Sequence, residues 1–276
     1  MIGIFREEVY SPNRIGDDAE ILRLTAEAIR RQGYAVELRA PEELSPQTQP
    51  DMVFAMCEGS ACLDILERWE FMGYAVVNNP AAIRNTHRYR MLPLLDPTPV
   101  PFPRTMLIQT TESVNGYFNI PKGVWVKRGD VHSTQPEDVQ LHFDRAAIDQ
   151  TLRALHFRWV RQAVLQENIQ GDVIKFYGVP GQKWFRHFYH KPGEKAGYPF
   201  CPEQIRITAE MAAARLGLEV FGADFVVTED GHYLIDINSW PSFAPCKEEA
   251  AEKIASHLID RYRRWEPPYT AQWRSA

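Results

Sequence analysis

At 276 residues and 31.8 kDa the chain has room for one large domain or two to three small ones, each with its own core. A formal net charge of -5 and a pI near 5.9 exclude a nucleic-acid binder that works by general phosphate neutralisation, and point instead to a small-molecule partner. Arg6, Glu7 and Glu8 interrupt the apolar start where a secretory signal needs an unbroken core, and no run reaches membrane-spanning length, so a soluble cytoplasmic protein without a membrane partner is expected. The four cysteines, Cys57, Cys62, Cys201 and Cys246, lack zinc-ligand spacing and read as reduced, largely buried thiols.

The chain opens with alternating strand and helix signals. Ile2–Phe5, Ala35–Leu38, Met52–Cys57 and Ala75–Val77 read as short strands. Asp17–Arg31 and Ala61–Phe71 have helical spacing, and Gly33 stands at a C-cap position. This alternation predicts a small, mostly parallel sheet with ligand sites at the carboxyl ends of its strands, where Arg6, Ser11, Arg14, Cys57 and Glu58 fall. Ile83–Leu95 reads as a helix carrying Arg84, Arg88 and Arg90, either a phosphate-binding cluster or a solvated face. The prolines of Pro93–Pro103 mark a boundary after this first α/β unit.

Beyond the boundary the pattern becomes α+β. Strands are expected at Val124–Val126, Ala163–Gln166, Val173–Val179 and Lys183–Tyr189, and helices at Ala146–Phe157, Pro202–Leu216 and Glu248–Arg263. Trp265–Ala276 reads as a tail that docks through its tryptophans or frays. Two strands, Phe221–Val227 and His232–Ile237, flank an Asp230-Gly231 turn signal. Pairing them sets Asp224 opposite Asp236 to within a residue, Asn238 on the face of Asp236, and Ile235 and Ile237 toward a core. Two carboxylates and an amide suit a hard cation such as Mg²⁺, although a simple strand end would leave the same residues.

Two lysines sit where apolar strands need a reason for charge: Lys127 after Val124–Val126, and Lys175 between Ile174 and Phe176. Each reads as a solvent-face lysine or as a reach toward nucleotide phosphates. Between them, Leu165–Ile169 alternates apolar and polar residues as expected of a segment framing an adenine.

Pro80–Arg84 before a basic helix, Val126-Lys127, Gln166–Ile169 and the closing Gly222–Pro241 segment together resemble the ATP-grasp superfamily, over nearly the whole chain. The resemblance implies a mixed α/β and α+β fold: a pre-ATP-grasp α/β domain over residues 1–95, a small ATP-grasp subdomain over 104–168 and a large subdomain with the metal site over 169–276. It implies ATP and Mg²⁺ as cofactors, two ions with Mn²⁺ as a substitute, and a small-molecule substrate. Asp224, Asp236 and Asn238 become metal ligands and Lys127 a phosphate ligand. Arg90, less so Arg88, falls where the superfamily often has a phosphate-binding lysine. Gln166, Glu167, Asn168 and Ile169 frame the adenine, with Asp172 toward the ribose.

The loop after Lys127, Arg128–Thr134, holds one glycine where amide-forming members have several. It is similar to the inositol-phosphate kinases of the superfamily, which place His132 and Lys175 near the transferred phosphoryl group. Arg186 corresponds to an acyl-phosphate-binding arginine of the amide-forming members. The reaction expected first is therefore kinase-like transfer of the γ-phosphoryl group to a small acceptor. The alternative is a carboxylate–amine ligase acting through an acyl-phosphate, and the third reading is an ATP-binding protein without turnover. The acidic first domain argues against a polyphosphorylated acceptor.

Overall fold

The computed structural model describes residues 1–48, 50–114, 116 and 118–265. Three four-stranded sheets organise it. In the first, β1 (Ile2–Ile4), β2 (Glu37–Arg39), β3 (Met52–Ala55) and β4 (Ala75–Val77) run parallel in the order β2-β1-β3-β4. Parallel neighbours need crossovers, and α1 (Ile15–Arg31) and α2 (Ser60–Phe71) supply two of them. The central strands β1 and β3 are buried on both faces, which explains why both are continuous apolar runs.

The basic segment predicted as one helix is two, α3 (Pro80–Asn85) and α4 (Arg88–Leu95). The Thr86 hydroxyl turns back onto the Ile83 carbonyl at 2.7 Å and His87 is extended, so the chain bends between Arg84 and Arg88. The bend separates the fates of the arginines.

The second sheet, in the order β5-β8-β6-β7, is antiparallel: β5 (Thr105–Gln109), β6 (Val124–Arg128), β7 (Val139–His142) and β8 (Gln162–Glu167), with α5 (Arg145–Phe157) between β7 and β8. The third, in the order β10-β9-β11-β12, is also antiparallel: β9 (Asp172–Val179), β10 (Trp184–Tyr189), β11 (Phe221–Val227) and β12 (His232–Ser239). Helix α6 (Pro202–Leu216) joins one core beneath β9, β11 and β12, and α7 (Lys247–Arg264) packs along α1 in another. Trp265 docks, its Nε1 donating to the Gly73 carbonyl at 2.9 Å, while Trp273 lies outside the described residues. Cys57 and Cys62 are buried, Cys246 is half-buried and Cys201 is exposed. Among the described residues no helix is long and apolar enough to cross a membrane.

Candidate active site

The β11–β12 hairpin brings the acids together. Asp224 pairs directly with Asp236 across the ladder and Asn238 with Gly222. A bulge falls between Asp224 and Phe225, where the next pair is Phe225 with Leu234, so Ile235 is the extra residue. The expected alternation fails there: Leu234 and Ile237 enter the core, whereas Ile235 lines a cavity and offers its carbonyl to Lys127 Nζ at 3.0 Å. Gly222 is required for closeness, because a Cβ there would meet Pro241 Cγ at 2.7 Å.

A cavity of about 540 Å³ lies between the second and third sheets. Lys127, Gln166–Ile169, Asp224 and Asp236 line it, together with Arg88 and Trp125. Lys127 is 6% exposed and held by Gln166 Oε1 at 2.7 Å as well as by Ile235. Burial lowers its pKa to about 8, against the pull of Asp236. Along the framing segment, the Glu167 N–H donates to the Arg104 carbonyl at 2.8 Å and the Asn168 N–H to Gly123 at 3.1 Å. Among the described residues the Ile169 N–H has no backbone partner. Asn168 braces the wall rather than facing a ligand with its amide, since Oδ1 accepts from Trp125 Nε1 at 3.0 Å.

A second cavity, of about 180 Å³, lies on the other side of Asp224, between the third sheet and the first α/β unit. Lys175, Asp224, Asn238 and His132 line it from one side, and Arg6, Asp18 and Glu58 from the other. Lys175 Nζ donates to Asp224 Oδ1 at 3.1 Å. Arg6 ties the two sides together, its guanidinium reaching Asp18 at 3.1 Å and the Trp240 carbonyl, beyond β12, at 2.8 Å. His132 is half-buried in this wall, its side chain 13% exposed, with Nε2 3.0 Å from Thr86 Oγ1; desolvation lowers its pKa to about 3, so the ring is neutral.

Three sequence-level assignments need correction. Arg90 is exposed and bonds Tyr89 at 3.0 Å, while Arg88, 5% exposed, ion-pairs with Asp236 and lines the larger cavity; the bend before α4 turns Arg88 inward. Asp172 does not face the nucleotide-sized cavity, because its carboxylate accepts from the N–H groups of Ala196, Gly197 and Tyr198 at 2.6–3.0 Å. Arg186 pairs with Glu249 on α7 and lines neither cavity.

Burial alone would raise the Asp236 carboxyl, but Arg88 and Lys127 outweigh it and hold the group below the usual carboxylate range. Among the described residues no group of three or more His, Cys, Asp or Glu is placed to hold a metal, so any ion here would rest on two carboxylates, one amide and non-protein ligands. That donor set fits Mg²⁺, which takes few protein oxygens and completes its shell with water and phosphate.

Over this geometry the chain is similar to a D-alanine–D-alanine ligase from Bacillus anthracis complexed with ATP, with a TM-score of 0.70 at 14% identity over 95% of this chain and 97% of the other. It is similar also to a RimK domain ATP-grasp protein from Sphaerobacter thermophilus, with a TM-score of 0.69 at 20% identity over 94% and 99%. The chain has the ATP-grasp fold. A "probable alpha-L-glutamate ligase" of Alcanivorax borkumensis is 25% identical over 228 residues, 77% of this chain and 74% of its own. One of the same name from Aliivibrio fischeri is 27% identical over 212 residues, 71% and 69%. No family model matches the chain. That fold has the mixed α/β and α+β architecture expected from the sequence.

Proposed function

We propose that the protein is an ATP-dependent carboxylate–amine ligase, which activates a carboxylate as its acyl-phosphate and joins it to an amine. The observation that carries this reading is the charge of the smaller cavity. Arg6 is consumed by protein partners and Lys175 by Asp224; Arg14, the third cation of the lining, stands 3.9 Å from Asp17, while Asp18 and Glu58 add negative charge. A phosphorylated acceptor would meet too little free positive charge there. An uncharged-to-zwitterionic substrate meets no such obstacle. The ligase names of the relatives support the same choice, so the kinase-like reaction expected first from the single-glycine loop has the weaker support.

In this reading Gln166–Ile169 frame the adenine, with the Ile169 N–H facing its edge. Lys127 and Arg88 bind phosphate oxygens. Asp224, Asp236 and Asn238 would hold magnesium, two ions with Mn²⁺ able to replace them. The metal, when bound, neutralises charge on the transferred phosphoryl group. Arg88 and Lys175 each pair with one of the two acids, Asp236 and Asp224, which keeps them tolerable side by side. His132 and Lys175 line the smaller cavity, Lys175 paired with Asp224 where the two cavities meet, and would position the acyl-phosphate. The rest of the smaller cavity takes the carboxylate and the amine.

Phosphorus NMR of a reaction with ATP and L-glutamate, alone and with other amino acids, tests the proposal. A ligase releases ADP and inorganic phosphate in step with a new amide. Phosphate retained on a stable product would establish the kinase reading instead.

A further inference from the structure

The smaller cavity contains a carboxylate that the scheme above leaves without a task. Glu58 lies between β3 and α2, is 3% exposed, and is fixed from behind because its own N–H and that of Gly59 donate to the Glu7 carboxylate at 2.9 and 3.0 Å. Its one cationic neighbour is shared. Arg6 Nε stands 3.3 Å from Glu58 Oε1, yet the same guanidinium serves Asp18 at 3.1 Å and the carbonyls of Met56, Ser239 and Trp240 at 2.8–3.2 Å. Glu58 Oε2 is buried and has no hydrogen-bond partner among the described residues.

The groups facing Glu58 do not supply one. His132 Nε2 is 3.8 Å from Oε2 and is engaged with Thr86; the ring is uncharged. Glu7 and Asp18 are negative and disfavour the carboxylate further, and burial is the largest influence of all, so that the pKa stands at about 7 against the opposing pull of Arg6. A buried acceptor left open costs stability unless something fills it. An amine entering the cavity brings the missing N–H.

We propose that Glu58 is the general base of amide formation, taking the proton that the amine must lose. This rests on the ligase reading. The amine nitrogen attacks the carbonyl carbon of the acyl-phosphate; the C–N bond forms and the C–O bond to phosphate breaks, phosphate departing with that electron pair. The N–H proton passes to the Glu58 carboxylate, which becomes a neutral acid and later returns the proton to solvent. A site that stabilises the neutral carboxyl accepts a proton readily near neutral pH.

The test compares two nucleophiles on one acyl-phosphate. Hydroxylamine is largely unprotonated at neutral pH and needs little help from a base, so hydroxamate formation reports activation of the carboxylate alone. Wild-type enzyme is screened with ATP and L-glutamate, then the other proteinogenic L-amino acids, for hydroxamate and for dipeptide. Glu58→Gln is expected to keep hydroxamate formation within about threefold while amide formation falls at least a hundredfold or so, the usual worth of a general base. Glu58→Asp is expected to regain part of the amide rate. Equal loss of both reactions in Glu58→Gln, or retention of both, would overturn the role of Glu58 while leaving the ligase reading in place. Absence of hydroxamate with every amino acid in wild type would overturn the ligase reading and this role with it.

Discussion

The two cavities that meet at Asp224 differ in how they are assembled. The larger is walled mainly by strands of the second and third sheets and the link between them, and Lys127 is bonded to Gln166 and Ile235 on facing sheets. The smaller draws Arg6, Glu58, His132, Lys175 and Asn238 from separate parts of the fold and mixes both signs of charge. In the proposed reading the larger cavity takes the nucleotide, at a site built mainly from strand pairing, and the smaller takes the other substrate, at a site that adds residues from loops carried by that scaffold.

Substitutions that touch the seam between the cavities should have the largest effects. Asp236→Asn is expected to lower turnover by roughly a thousandfold, since several kcal/mol of charge neutralisation on the phosphoryl group depend on the metal site. It should also reduce stability, because Arg88 would lose its buried partner. Steady-state kinetics and a melt together check both parts.

Lys127→Ala acts on one cavity only. ATP affinity should fall by about tenfold to a hundredfold, or roughly 1.4–2.7 kcal/mol, and calorimetric titration with a non-hydrolysable analogue reads it directly. An unchanged dissociation constant would remove Lys127 from the phosphate site.

Asp172→Ala sharpens the boundary from the other direction. Three backbone N–H groups would lose their acceptor, for a cost of about 1–3 kcal/mol in stability, with nucleotide affinity unchanged. Weakened nucleotide binding in a variant that stays folded would return Asp172 to the ribose.

In the smaller cavity, pH is the probe. Glu58 has a pKa of about 7 in the folded protein against 4.5 as its ordinary value, so the folded state holds an extra proton between these limits. Stability from this group is therefore greatest at the acid end of that window and declines as pH rises through it, by about 1.4 kcal/mol for each unit of displacement. Glu58→Gln should gain on wild type in thermal melts between pH 5 and 8; a constant difference would show that Arg6 already balances the charge. Smallest of all, Arg90→Ala and Arg186→Ala should leave activity unchanged and stability within about 1 kcal/mol, as exposed side chains do.

The same contrast explains what the sequence made legible. Asp224, Asp236 and Asn238 could be placed together because period-two projection and a short turn suffice to pair neighbouring strands. The bulge at Ile235 could not, since one extra residue leaves no compositional mark. Arg88 and Arg90 share a helix and a charge, and only the bend at Thr86-His87 decides which turns inward. Glu58 was visible as a residue at a strand end, but its unpartnered oxygen results from one arginine divided among distant elements. Asp172 misled because an acid beside a predicted binding strand says nothing of the three N–H groups that the chain brings to it after β10.

Isotope transfer from the substrate carboxylate tests acyl-phosphate chemistry most directly. With L-glutamate, or whichever amino acid the hydroxamate screen selects, labelled with ¹⁸O in its carboxyl groups, one labelled oxygen is predicted to appear in the inorganic phosphate released with each amide formed. Amide formation with unlabelled phosphate, or labelled substrate that ends as a stable phosphorylated product, would contradict it.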